Sequence, residues 1–196
     1  GKQLFASEGP RVLELLNKKG FDIFLDLKLH DIPNTVYKAL INLLNYDVWM
    51  TNIHLLGGEE MIRAAMDAKE YKKSNTLLIG VTVLTSLDEK SIKKMGFNLN
   101  ISELVKKLSL SAKQNKVDGV VCSVKEVSEI KDNCGKNFIT VTPGIRIKQS
   151  HDDQSRVATL QDATKNGSDY IVLGREITSS DNIPEMIKKV ESYIID

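Results

Sequence analysis

The sequence predicts an α/β fold in which β-strands alternate with α-helices. Three observations indicate this: apolar runs rich in β-branched residues recur along the chain, amphipathic segments separate them, and one strand–helix repeat takes about 25 to 35 residues. Strands that are apolar throughout are typical of a parallel sheet covered on both faces. The predicted strands lie in residues 21–29, 48–56, 76–84, 118–123, 138–145 and 169–177.

The segments between the strands show helical spacing of apolar residues. In residues 33–46, for example, Val36, Leu40 and Leu44 recur at intervals of four and fall on one face of a helix. No low-complexity linker interrupts the pattern, so we expect a single domain over residues 1–196. Helices are predicted in residues 9–19, 33–46, 58–69, 102–115, 124–132, 159–167 and 184–194.

Two architectures fit six strands that are connected by helices. One is an open, doubly wound sheet, although no Gly-x-Gly-x-x-Gly follows any strand and the dinucleotide-binding version lacks its fingerprint. The other is a (β/α)₈ TIM barrel of which two strands are unaccounted for. Because residues 1–5 run straight into a helix, the barrel alternative predicts a domain that is N-terminally incomplete, with strands 1 and 2 absent from this chain.

Composition narrows the class of partner. The 27 basic and 26 acidic residues give a net charge of +1, which offers no electrostatic reason to expect a nucleic acid or an anionic membrane as partner. Apolar runs of about eight residues are too short to span a bilayer. Two cysteines are too few for a disulfide scaffold and fit a reducing cytoplasm. The spacing of the three histidines does not predict a metal site.

Charged residues stand inside the first predicted strand. Alternate side chains of a strand share a face, so Asp26 and Lys28 point one way, and Asp31 follows at the strand end. In a barrel, charged residues at the carboxyl end of a strand are typical of an active site. The alternative is a half-exposed strand whose charges are simply solvated.

The last two strands end in glycine and arginine. Arg146 closes one strand, and Gly174 and Arg175 close the next. In a complete barrel these would be strands seven and eight, where phosphate is commonly bound, and the planar guanidinium group suits a phosphate. The loop of residues 152–156 lies between them and could fold over a ligand. Surface turns with solvated arginines are the alternative.

A third strand ends in hydroxyl residues. Thr85 and Ser86 follow the run of residues 76–84. Their side chains would either hydrogen-bond a polar ring of a ligand or cap the next helix.

These motifs together resemble the orotidine 5′-phosphate decarboxylase family in its bacterial short form. The string FDIFLDLKLHDIPNT carries Asp-x-Lys-x-x-Asp-Ile-Pro-Asn-Thr, and VWMTNIHLLGG, GVTVLTS, DGVVCS, VTPGIR, DDQSRV and VLGREIT extend the resemblance over almost the whole chain. The resemblance implies a homodimeric TIM barrel in the cytoplasm, without metal or organic cofactor. It would decarboxylate orotidine 5′-monophosphate to UMP, the last step of pyrimidine biosynthesis.

Residue roles follow from the same resemblance. Lys28 corresponds to the donor of a proton to C6 of the pyrimidine, Asp26 to the carboxylate beside the substrate's carboxylate, and Asp31 to an aspartate shared across the dimer interface. The implied substrate-binding residues are Thr35 at the ribose, Thr85 at the pyrimidine, and Arg146, Gln154, Gly174 and Arg175 at the phosphate.

The chain departs from the family pattern at its start. The family has an Asp at the end of its first strand and a second catalytic Lys in its second strand, just before a Gly that aligns with Gly1. Both positions lie outside this sequence, and Lys2 is on the wrong side of that Gly to take the role.

Two other functions remain open. Magnesium-dependent sugar-phosphate decarboxylases of the same superfamily also carry Asp-x-Lys-x-x-Asp, although the continuation through residues 32–35 favours orotidylate. The third possibility is an inactive phosphate-binding fragment.

Overall fold

The computed structural model describes residues 1–147 and 158–194, which form two compact units. The first unit comprises Gly1–Thr82 and Leu108–Val120. The second comprises Val83–Lys107 and the described part of Val121–Asp196.

Strands and helices alternate along the chain as predicted. The strands are β1 Phe24–Leu29, β2 Met50–His54, β3 Leu77–Val81, β4 Gly119–Val121, β5 Ile139–Thr142, β6 Ile145–Arg146, β7 Ala158–Thr159 and β8 Tyr170–Ile171. The helices are α1 Lys2–Glu8, α2 Arg11–Lys18, α3 Pro33–Leu43, α4 Glu59–Tyr71, α5 Glu89–Lys94, α6 Ile101–Gln114, α7 Val127–Cys134, α8 Leu160–Lys165, α9 Arg175–Thr178 and α10 Ile183–Ile194.

Strands pair in parallel in both units. In the first unit, β2 lies between β1 and β3. In the second unit, β5 pairs with β8, and the short β6 pairs with β7. Each of the six predicted strands and seven predicted helices is present, which confirms the α/β class. The β6–β7 pair and the helices α1 and α5 are additions to the predicted elements. Helix α9 takes up residues 175–177, so the prediction that the last strand extends to residue 177 is wrong at its end.

Each unit has an apolar core built from strands and the helices beside them. In the first unit, Leu13 of α2 packs with Ile23, Leu25 and Val48 around β1, and α3 packs against α4. Burial of such side chains stabilises the fold by about 1.5 to 3 kcal/mol each. The second core contains Val124, Ile145, Leu160, Ala163 and Val190.

In both units, an aspartate near the amino end of a strand accepts hydrogen bonds from a lysine side chain and from the backbone of a neighbouring strand. We call this arrangement an aspartate clip. In the first unit, one oxygen of Asp118 accepts hydrogen bonds from Lys69 Nζ at 2.5 Å and from the Leu78 backbone N–H at 2.7 Å. This clip joins α4, β3 and the residue before β4.

The second unit repeats the arrangement with different residues. Asp169 precedes β8 and accepts from Lys131 Nζ at 2.6 Å and from the Thr140 backbone N–H at 2.7 Å. Because both clips lie at the amino ends of strands, they leave the carboxyl ends free for other side chains.

Two helices end in a left-handed lysine. Lys73 follows α4 with φ 48°, and Lys116 follows α6 with φ 62°. Helix α5 ends in the same way at Gly96, with φ 92°. A left-handed residue after a helix satisfies the last carbonyl groups, and glycine takes this conformation with less strain than lysine.

Across residues 1–147 and 158–194, every helix is too short or too polar to traverse a bilayer.

Candidate active site

Asp26 and Lys28 form an ion pair within β1. Lys28 Nζ donates to both carboxylate oxygens of Asp26, at 2.7 and 2.8 Å. The two side chains are 30% and 29% exposed, so the pair is neither solvated on a free surface nor fully buried. This confirms the prediction that alternate residues of the strand place both charges on one face.

Asn52 of β2 completes this network. Its side-chain Nδ2 donates to Asp26 Oδ1 at 2.7 Å, and its Oδ1 accepts from the Lys28 backbone N–H at 2.7 Å. The residue is 0% exposed. Asn52 was not among the predicted site residues, although the sequence holds a signal: Asn52 and His54 alternate inside an apolar strand, as Asp26 and Lys28 do.

The backbone of Lys28 is unusual for a strand. Its φ is 51°, in the left-handed region, and the β1–β2 register shifts between Leu25 and Leu29. Lysine has no intrinsic preference for this conformation, so the surrounding contacts must maintain it. The hydrogen bond from the Lys28 N–H to Asn52 replaces the regular strand pairing that the irregularity removes.

The network also sets the charge of Asp26. Burial alone would raise the pKa of this carboxyl group, but hydrogen bonds from Lys28 and Asn52 and the positive charge of Lys28 outweigh burial and hold the pKa below its ordinary value of 3.8. Asp26 is therefore ionised at neutral pH. An anion and a cation are thus fixed side by side at the carboxyl end of β1.

Two histidines lie next to this pair. The rings of His30 and His54 are stacked, with their centroids 5.1 Å apart. His54 is only 8% exposed, and its Nδ1 accepts a hydrogen bond from the Leu56 N–H at 3.4 Å. Burial lowers the pKa of His54 to about 4, with further contributions from the nearby charges of His30, Lys28 and Lys2. His54 is therefore a neutral side chain at physiological pH.

Asp31 and Thr35 lie beyond the end of β1, on an exposed segment. Asp31 Oδ1 accepts from the Ile32 N–H at 2.7 Å, and Pro33 starts α3. Both Asp31 and Thr35 are exposed, and Ile32 between them is 66% exposed. Among the described hydrogen bonds, the side chain of Asp31 does not join the Asp26–Lys28 network.

The second unit holds the arginines that were predicted to bind phosphate. Arg146 is 6% exposed, and its guanidinium group donates to the Ile145 carbonyl at 3.0 Å. Its Nε lies 3.8 Å from Glu176 Oε1. Since Glu176 directly follows Arg175, the structure brings Arg146 next to the first turn of α9.

Gly174 forms the start of α9. Its carbonyl accepts from the N–H groups of Ile177 and Thr178, both at 3.0 Å. Among the residues that the structure describes, apart from its two chain neighbours, no heavy atom lies within 4 Å of a Cβ placed on Gly174, so this part of the chain leaves room for a larger residue. Arg175, the next residue, is exposed.

Of the remaining predicted residues, Thr85 and Ser86 lie in the described part of the chain and Gln154 does not. Thr85 is half-buried in a turn that follows β3 along the chain. The alternative in which Thr85 or Ser86 caps the next helix is wrong, because Asp88 is the N-cap of α5 and accepts from the Ser91 N–H at 2.7 Å. Gln154 and the rest of the loop of residues 152–156 lie outside the described residues.

Among the residues that the structure describes, His, Cys, Asp and Glu side chains do not gather in groups of three or more that could hold a metal ion.

Comparison with known proteins identifies the family. The family model "Orotidine 5'-phosphate decarboxylase / HUMPS family" matches residues 1–190. Proteins named orotidine 5′-phosphate decarboxylase from Saccharophagus degradans and Carboxydothermus hydrogenoformans are each 48% identical to this chain. Each alignment covers 93% of this chain, and 77% and 78% of the two relatives.

A solved structure agrees with the sequence relatives. The crystal structure of orotidine 5′-phosphate decarboxylase from Lactobacillus acidophilus superposes with a TM-score of 0.84 at 35% sequence identity, over 96% of this chain and 82% of that one. The chain therefore has the α/β fold of these TIM-barrel enzymes. On the family model, the sequence relatives and this structure, the chain belongs to the orotidine 5′-phosphate decarboxylase / HUMPS family.

Proposed function

We propose that this protein decarboxylates orotidine 5′-monophosphate to UMP, without a metal ion or an organic cofactor. The Asp26–Lys28 ion pair carries the proposal: it lies at a strand end, within the sequence string that distinguishes the family, and Asn52 holds it in place. Relatives at 48% identity bear the name of this activity.

The chemistry needs an anion and a cation at fixed positions. When the bond from C6 to the carboxylate carbon breaks, its electron pair stays on C6, where no carbonyl group delocalises it. Asp26 would disfavour the substrate carboxylate, and Lys28 would favour the carbanion and then transfer a proton from Nζ to C6. Water would return the proton to Lys28.

The size of the Asp26 effect can be estimated. Two like charges about 4 Å apart interact by about 4 kcal/mol at an effective dielectric constant of about 20. This corresponds to about three powers of ten in rate, so Asp26 accounts for part of the catalysis. Electrostatic preorganisation and binding of the remote phosphate would supply the rest.

The second unit supplies the proposed phosphate-binding residues. Arg146, Gly174 and Arg175, with Gln154, would bind the phosphate, while Thr35 and Thr85 would contact the ribose and the pyrimidine. The position of Arg146 beside the first turn of α9 supports its grouping with Arg175. As a test, Arg175→Ala should lower kcat/KM for orotidylate but hardly change it for orotidine, which lacks the phosphate. Equal losses with both substrates would contradict a phosphate contact.

We propose further that the enzyme is a cytoplasmic homodimer in which Asp31 serves the partner's site. The exposure of Asp31 and of Ile32 beside it supports this arrangement. Neither Cys122 nor Cys134 forms a disulfide, in keeping with a reducing compartment.

Mixing variants tests the shared site. Lys28→Ala and Asp31→Ala should each be nearly inactive alone. A mixture should regain activity, because one site of each heterodimer is wild type at both positions. Absence of recovery after verified subunit exchange would rule out the shared site.

A chelator distinguishes the proposed function from that of the magnesium-dependent sugar-phosphate decarboxylases. The comparisons favour orotidylate, and turnover of orotidylate should persist in excess EDTA. Activity that is lost in EDTA and returns with magnesium would favour the sugar-phosphate decarboxylases.

A further inference from the structure

We infer that Asn52 is a positioning residue for this reaction: one side-chain amide holds both the Asp26 carboxylate and the Lys28 backbone. The inference deepens the proposed function and rests on it. Both hydrogen bonds measure 2.7 Å, and they use the donor and the acceptor of the same amide. Few side chains other than asparagine could make both bonds from this position, because the site needs a short side chain with an adjacent N–H donor and carbonyl acceptor.

The first contact fixes the backbone of the proposed proton donor. Lys28 has a left-handed φ of 51° at the irregular part of the β1–β2 pairing. Asn52 Oδ1 takes the place of a strand carbonyl group and accepts a hydrogen bond from the Lys28 N–H. The backbone N–H of Lys28 is therefore paired although the strand pairing is irregular here. The direction in which the Lys28 side chain leaves the backbone therefore depends on Asn52.

The second contact fixes the anion. Asp26 Oδ1 accepts from both Lys28 Nζ and Asn52 Nδ2, at 2.7 Å each. Asn52 thus restrains the carboxylate from a neighbouring strand, independently of Lys28. Because Asn52 is completely buried, water cannot substitute for it without rearrangement of the strands.

Thr51 provides a matched control on the same pair of strands. It is 1% exposed, and its Oγ1 donates to the Leu25 carbonyl at 3.0 Å. Like Asn52, it forms a buried side-chain hydrogen bond from β2 to β1, but its partner is the backbone of a core leucine. Thr51→Val removes this bond at nearly constant volume. It therefore reports the general effect of weakening the β1–β2 contact.

The experiment compares Asn52→Leu, Asn52→Asp and Thr51→Val in the full protein. In Asn52→Leu, kcat for orotidylate should fall by about 10- to 100-fold, as when a hydrogen bond that orients a functional side chain is lost. KM should change little, because Asn52 itself would not touch the substrate. The Asp26 carboxyl pKa, measured by NMR of ¹³C-labelled aspartate and assigned with Asp26→Asn, should rise. Thr51→Val should change neither kcat nor this pKa.

Asn52→Asp keeps the same shape and an acceptor for the Lys28 N–H, but it loses the donor to Asp26. Two carboxylates at hydrogen-bonding distance resist joint ionisation, so the acid limb of the kcat–pH profile should move to higher pH. This variant gives a second readout if Asn52→Leu does not fold. An unchanged Asp26 pKa in Asn52→Leu, an unchanged pH profile in Asn52→Asp, or identical effects of Asn52→Leu and Thr51→Val would overturn the inference.

The proposed decarboxylase function and the positioning role of Asn52 can be refuted independently. A wild-type protein that binds UMP but does not turn over orotidylate would refute the proposed function. The Asp26 pKa would still show whether Asn52 positions this carboxylate.

Discussion

The buried His54 should make the protein sensitive to acid, and His54→Asn should remove that sensitivity. The pKa of His54 is lowered from 6.5 to about 4 in the folded protein. Above pH 6.5 the imidazole is neutral in both states and has no effect. Between pH 6.5 and about pH 4, His54 is protonated in the unfolded chain but stays neutral in the folded protein. The free energy of unfolding therefore falls as the pH decreases.

The size of the effect follows from this difference. The free energy of unfolding should fall by about 1.4 kcal/mol per pH unit between the two pKa values, and by about 3 kcal/mol in all. Asparagine can place an oxygen near the position of Nδ1, so it can keep the hydrogen bond from Leu56 without titrating. Asp26 and Asp169, whose pKa values are lowered from 3.8, lose stabilising charge only at lower pH.

Urea unfolding at about pH 7 and about pH 4.5 measures the effect for wild type and His54→Asn, with linear extrapolation to water. Loss of the packed imidazole ring also changes the stability of the variant at pH 7. The decisive quantity is therefore the change with pH, which should be smaller in the variant by most of the 3 kcal/mol estimated above. His30→Asn is a control for loss of the stacked ring. It should keep most of the change with pH, because burial, the largest cause of the lowered His54 pKa, remains when the charge of His30 is removed. Equal changes with pH in wild type and His54→Asn would refute the reasoning.

Three further predictions concern catalysis, phosphate binding and stability. Asp26→Asn should lower kcat/KM for orotidylate by about 10³-fold and change the Kd of UMP far less, because UMP lacks the carboxylate that Asp26 opposes. Gly174→Ala should leave the melting temperature unchanged, since the described residues, apart from the two chain neighbours, place no atom within 4 Å of the added Cβ, but should raise KM if the backbone approaches the phosphate. Lys116→Gly should raise the free energy of unfolding by about 0.5 to 1 kcal/mol by relieving the left-handed conformation, and Gly96→Lys at the end of α5 should lower it by a similar amount, both measured by urea unfolding.

The sequence predicts the main elements well because their signals are long. Strands such as β2 and β3 are buried along most of their length and therefore read as continuous apolar runs. Helix α5 was not predicted because it has only six residues. Since Ile92 alone is buried, no periodic pattern of apolar residues marks the helix, and its start depends on the cap Asp88. The β6–β7 pair has two residues in each strand, which is too short for any periodicity to appear.

The candidate site was predictable where neighbours in sequence are neighbours in space. Asp26 and Lys28 are two residues apart on one strand, so alternation alone brings them together. Asn52 required knowledge of the β1–β2 register, which is irregular at this point. The left-handed backbone of Lys28 could not be inferred, since lysine does not favour it and the contact with Asn52 imposes it.

The aspartate clips bear on the order in which the chain acquires structure. Residues 69 and 118 of the first clip are separated by 49 positions, and residues 131 and 169 of the second by 38. During synthesis, the first clip can close soon after Asp118 leaves the ribosome, before Asp169 of the second clip has left it. Pulse-labelled hydrogen exchange on arrested nascent chains should therefore detect protection of the Leu78 amide before that of Thr140.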